Sequence, residues 1–205
     1  MKKVFYSSFL FFLAFTCFCQ EHLELKQFGF AMDAPAGWFK MQDEGLVENI
    51  EKFDLTNAQQ DNMLKSLDAA SKFIAFHKYD PKIKSGIIPT INITVRSTNL
   101  KSFEKFKLHI DRQGEQLSKI LENFKDTPAE IVVINGTKIW ISTATYNLKD
   151  PTSKNVKLYT RMLYIYRGNY YISINFIEEV DKENNSALFD EVQKSIKVAS
   201  LPLRK

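Results

Sequence analysis

The sequence predicts an α+β domain, a three-layer α/β/α sandwich around a mainly antiparallel sheet, from three observations. Asn135-Gly136 and Gly168-Asn169 each separate two strand-like runs. Such short turns join antiparallel neighbours, which excludes an all-parallel sheet. Phe103, Phe106, Ile110, Leu117, Leu121 and Phe124 recur at helical spacing and form one apolar stripe, with Lys and Glu opposite. The later strands are apolar on both faces: Val156, Leu158, Met162, Tyr164 and Tyr166 on one, Tyr159, Leu163 and Ile165 on the other. A sheet apolar on both sides is expected to carry helices on both sides.

The first twenty residues differ from the rest. Lys2 and Lys3 precede an uncharged run of about 15 residues, Val4 to Phe18, and then come Gln20, Glu21 and His22. A positive start and an apolar run of this length fit a secretory signal of bacterial character over residues 1–20. The run is shorter than the roughly 20 apolar residues that span a bilayer. The mature protein is therefore expected to be exported, periplasmic or secreted, with a single domain over 21–205. Cys17 and Cys19 both lie inside the signal. Lipid anchoring through either is disfavoured, because the residues before them are not a small-residue run. Removal of the signal leaves no cysteine, which excludes disulfides, thiol redox and cysteine nucleophiles. It also takes 20 of 205 residues and leaves 185, with Lys+Arg falling from 28 to 26 against 24 Asp+Glu. A net charge near +2 without like-charge blocks points away from nucleic acid.

Along the mature chain, Phe28, Phe30 and Met32 alternate with Gly29, Ala31 and Asp33 as in a strand. Pro35 ends it, Gly37 permits a tight turn, and Trp38 anchors the corner before a return run begins. Thr56 with Gln59 three residues on forms a capping box for a helix to about Leu67. Strands follow at Lys72–Tyr79 and Ile87–Thr98, separated by a loop that contains Asp80-Pro81 and Gly86. The long helix comes next, with Gly114 on or beside its stripe, where it would permit close approach to a neighbour. Four strands then run almost without interruption, two hairpins joined by the loop Lys149–Asn155. Asn185 or Ser186 caps a last helix with Leu188, Val192 and Ile196 on one side.

The opening pattern of Phe28, Phe30, Pro35, Gly37 and Trp38 resembles that of the PsbP-like family, named for an extrinsic oxygen-evolving protein of photosystem II. The order of long helix, four-stranded meander and closing helix, with Val192 to Val198 (VQKSIKV), is similar too. The resemblance spans nearly all the mature chain. It implies a fold shared with a Ran-binding nuclear-import factor, whose members bind proteins, ions or lipophilic molecules.

The residues themselves carry no Gly-x-Ser-x-Gly elbow, His-Glu-x-x-His, phosphate loop or dinucleotide fingerprint. No cofactor is expected. Of three histidines, His22 is expected in a mobile tail, and His77 and His109 as surface or partly packed groups. Neither His77 with Asp80 nor His109 with Asp111 supplies the three or four ligands a metal needs. Glu178, Glu179, Asp181 and Glu183 lack the alternation of a calcium loop and read as a solvated strand-to-helix connection. Tyr159, Tyr164 and Tyr171 with Arg161 and Arg167, together with Pro35 and Trp38, are the candidates for a binding surface. The expected function is a non-enzymatic accessory or binding protein of the cell envelope that engages a protein partner or an apolar ligand. A hydrolase with carboxylates in a cleft and a purely structural envelope domain are the alternatives.

Overall fold

The computed structural model describes residues 21–42, 70–134, 136–150 and 154–199. The segment read as a signal and the helix expected over Thr56–Leu67 lie outside the described residues. Among the described residues eleven strands run in chain order: β1 (His22–Leu25), β2 (Phe30–Asp33), β3 (Phe39–Gln42), β4 (Ala70–His77), β5 (Thr90–Ser97), β6 (Glu122–Asp126), β7 (Glu130–Ile134), β8 (Thr137–Lys149), β9 (Asn155–Tyr166), β10 (Tyr170–Glu179) and β11 (Lys197–Val198). Helix α1 spans Phe103–Ile120 and helix α2 spans Ser186–Ser195.

Among the described residues eight strands form one sheet in the order β3-β4-β5-β10-β9-β8-β6, with β7 also on β8. Every pairing in it is antiparallel. Both expected hairpins are present. Ile134 faces Thr137 across the first, where Gly136 has φ +74. Tyr166 faces Tyr171 across the second, where Gly168 has φ +89. The long β8 carries β9 on one edge, while β7 and β6 lie end to end along the other.

The side-chain alternation of β9 and β10 sets the layers. Leu163, Ile165, Ile172, Ile174 and Phe176 point to one face and join Phe189, Val192 and Ile196 in the main core. Tyr164, Tyr166 and Tyr171 point to the other and pack around Phe106 of α1. Helices thus cover both faces of an antiparallel sheet, the α+β sandwich that the sequence predicts.

Several local expectations are corrected. Phe28 ends a short 3-10 turn over Lys26–Phe28 and is not in the strand. Gly29 follows at φ +56, and the strand begins at Phe30. His22 is not in a loose tail: it opens β1, pairs with Asp33 across to β2, and its Nδ1 lies 2.7 Å from Asp33 Oδ1. The run after Trp38 does not return along β2. It crosses to the edge of the large sheet and pairs with β4. Trp38 does anchor this crossing, with its ring 6.5 Å from Phe189 in an edge contact.

The α1 stripe stops earlier than its periodicity suggests. Leu121 is the C-cap, Asn123 has φ +54, and Phe124 belongs to β6. The segment Val192–Val198 is likewise split. Its helix ends at Ser195, and Lys197-Val198 forms β11 beside β2 in a three-stranded sheet β1-β2-β11. This small sheet contributes Leu23, Leu25, Phe30 and Met32 to the main core on the α2 side.

A groove between helix α1 and the sheet

Helix α1 meets the sheet firmly at its start. Ser102 Oγ caps it by accepting from the Lys105 N–H at 3.3 Å, and Phe106 and Ile110 are buried. Farther along, the helix stands away from the strands and leaves a groove of about 380 Å³. Ile110, Gly114 and Leu117 form its helical wall, and Phe124 and Pro128 from β6 and the following loop close one side. A Cβ built at Gly114 meets nothing within 4 Å. The glycine therefore does not serve close helix contact, as its position on the stripe suggests, but keeps the groove wide.

The floor consists of Trp140, Ser142, Met162 and Tyr164 on β8 and β9. Trp140 pairs with Tyr164 and Ser142 with Met162 in the strand register. The Trp140 and Tyr164 rings meet edge-on at 5.4 Å. Burial pushes the Tyr164 hydroxyl up to about 12, so it stays protonated at neutral pH. Trp140 and Ser142 are each 6% exposed, yet Trp140 Nε1 and Ser142 Oγ have no hydrogen-bond partner among the described residues. An unmet buried polar atom costs roughly 1–3 kcal/mol, so two on one groove floor call for a physical reason.

The aromatic and basic residues read as one binding surface do not share a surface. Tyr164 and Tyr171 belong to the α1 side, with Phe106 6.2 Å and 5.0 Å from their rings. Arg161 is on the α2 side, where its Nη1 donates to Asp190 Oδ1 at 2.6 Å and to Gln193 Oε1 at 3.3 Å. Tyr159 is half-buried beside Glu178, its partner across to β10. Arg167 is buried at the end of β9 and donates to Thr137 Oγ1 at 3.2 Å. Pro35 is buried, and Trp38 packs against α2 through Phe189. Only Tyr164 of the seven lines the groove.

A second, polar hollow of about 440 Å³ lies beside the acidic connection, lined in part by Tyr159, Glu178, Asp181 and Glu183. Two of these carboxylates, Glu178 and Glu183, are engaged by the protein itself. Glu178, far from being solvated, is buried and accepts from Asn185 N and Nδ2 at 3.0 and 2.8 Å. Glu183 accepts from Lys78 Nζ at 2.5 Å and from the Tyr79 hydroxyl at 2.7 Å. The Lys78 bond above all, reinforced by Tyr79, holds the Glu183 carboxyl below its ordinary value against the opposing pull of burial. Among the described residues no cluster of three or more His, Cys, Asp or Glu could hold a metal ion. His77 is buried with Nδ1 3.0 Å from Thr90 Oγ1, and His109 is exposed on α1.

The lowered Glu183 has a pH consequence with a definite sign. A carboxylate with a depressed folded-state pKa adds stability above its unfolded value, lost as pH falls through the folded one. The stability gap between the wild type and Glu183→Gln is expected to be constant near neutrality and to close as pH drops below the ordinary value of 4.5. Urea denaturation at several pH values measures it; a gap that widens in acid contradicts the assignment.

No family model and no curated protein matches the sequence. Among solved structures the chain is similar to cyanobacterial PsbP (CyanoP) from Synechocystis, with 13% identity and a TM-score of 0.52 over 87% of this chain and 92% of that one. A Bacteroides thetaiotaomicron structure aligns with 14% identity and a TM-score of 0.43, over 84% of this chain and 46% of that one. A protein of unknown function from Pseudomonas aeruginosa aligns with 14% identity and a TM-score of 0.45, over 89% and 98%. The chain has a PsbP-like fold, as the resemblance of its opening pattern implies. Among the described residues, no helix is long and apolar enough to cross a membrane.

Proposed function

We propose that this protein is a non-enzymatic, exported binding protein of the cell envelope, and that the groove beneath α1 holds a small apolar ligand. The observation that carries the reading is the pair of unmet buried polar groups, Trp140 Nε1 and Ser142 Oγ, on the floor of a groove that combines apolar and aromatic residues with polar and acidic ones. A volume near 380 Å³ falls in the range of small-molecule sites, which combine apolar walls with a few polar groups. The signal-like residues 1–20 support export, and a PsbP-like fold accommodates an accessory role without specifying one. A hydrolase that used Glu183 as its general acid would need that carboxyl raised toward neutrality, and its shift has the opposite sign.

Gly114 makes the test clean. Leucine there enters open space, improves helix propensity by up to about 1 kcal/mol and fills the groove. Titration with the neutral fluorophore Nile red is expected to give at least tenfold weaker binding to Gly114→Leu than to the wild type, with thermal stability unchanged or raised. Equal binding by the two proteins would remove the groove from consideration.

A further inference from the structure

We infer that the ligand of this groove is a neutral, flat apolar molecule that presents a carbonyl oxygen to Trp140 Nε1 and Ser142 Oγ. The inference rests on the groove reading above and adds the chemical class of the occupant. An indole N–H can only donate, and a serine hydroxyl can donate as well as accept, so an acceptor oxygen satisfies both groups. The two side chains leave β8 two positions apart, roughly 7 Å from Cα to Cα, and therefore project as neighbours from the one strand face that fronts the groove.

The rest of the lining selects the body and charge of the ligand. The crossed rings of Trp140 and Tyr164, with Phe124 and the Met162 thioether, offer aromatic edges and polarizable surface to a flat apolar molecule. The charged lining residues described are all acidic: Asp111, Glu115 and Asp126. Lys107 Nζ neutralises Asp111 at 2.7 Å, whereas Glu115 and Asp126 form no ion pair among the described residues. An anionic ligand would find no cationic side chain among the described lining residues to receive it. Both floor donors are closed off from water in the free protein, so entry requires a side chain to yield. Met162, opposite Ser142 in register, is the flexible one.

The test compares 2-acetylnaphthalene, 2-ethylnaphthalene and 2-naphthoate, titrated into the 15N-labelled mature protein. The chain has only two tryptophans, Trp38 and Trp140, so its indole N–H signals are assigned from one Trp140→Phe spectrum. The ketone is expected to bind at least tenfold tighter than the hydrocarbon, to move the Trp140 signal downfield, and to leave Trp38 in place. Ser142→Ala is expected to narrow the ketone's advantage to threefold or less, independently of whether Trp140→Phe folds. Equal binding of ketone and hydrocarbon with an unmoved Trp140 signal leaves the groove intact but overturns the carbonyl inference. Tightest binding by the naphthoate overturns the neutral class. Binding of none of the three overturns the groove reading itself and this inference with it.

Discussion

Phe106→Ala is expected to destabilise the domain by about 3–5 kcal/mol, the range for truncating a fully buried aromatic side chain. Phe106 has no exposed surface. Its ring stacks on Tyr166 at 5.2 Å, lies 5.0 Å from Tyr171 and meets Tyr164 edge-on at 6.2 Å. Phe103, the other phenylalanine of α1, meets Tyr166 at 6.5 Å, so Phe106 is the centre of the described ring contacts between helix and sheet, and its loss leaves a cavity between rigid neighbours that collapse only in part. Urea unfolding monitored by circular dichroism measures the effect. The same variant is expected to bind Nile red more weakly, because it loosens the helix that walls the groove. A loss under 1 kcal/mol would mean that α1 is held by something other than this aromatic cluster.

Glu178→Ala ranks next, with an expected loss of about 3 kcal/mol from two buried donors that lose a charged acceptor. Glu178 projects from the end of β10 to the α2 face and accepts from both the backbone and the side-chain amide of Asn185. Asn185 is the N-cap of α2, yet its own side chain caps nothing in the helix. It is occupied in fastening the helix start to the sheet. Glu178→Gln, which retains one acceptor oxygen, is expected to lose about half as much. Hydrogen exchange should locate the damage at the first turn of α2 and not in α1. Uniform loss of protection would contradict this local account.

The strands and hairpins were legible because their signals are local. Gly136 and Gly168 stand where positive φ is required, and the alternation along β8, β9 and β10 is long enough to set which residues face which helix. The end of α1 was less legible: Leu121 and Phe124 continue the apolar period, but Asn123 turns the chain and hands Phe124 to a strand against Tyr146. The small sheet was hidden for a different reason. It joins the two ends of the described chain, and pairing of β11 with β2 leaves no mark in either segment alone.

The groove shows the same limit more sharply. Trp140 and Ser142 read as ordinary strand residues, and their unmet polar atoms become evident only when α1 is laid across them. The tyrosine and arginine run suggests one surface by its composition, but the alternation of β9 sends Arg161 and Tyr164 to opposite faces. That alternation is in the sequence, and applied strictly it separates them. Gly114 could be flagged from its place on the stripe; its purpose could not.

Native mass spectrometry of the protein, purified gently from its own cells, tests the central claim most directly. The account predicts a reproducible small additional mass on the wild-type protein that is absent from Gly114→Leu prepared in the same way. A bare protein mass in both preparations, or an added mass that survives the filled groove, would contradict it.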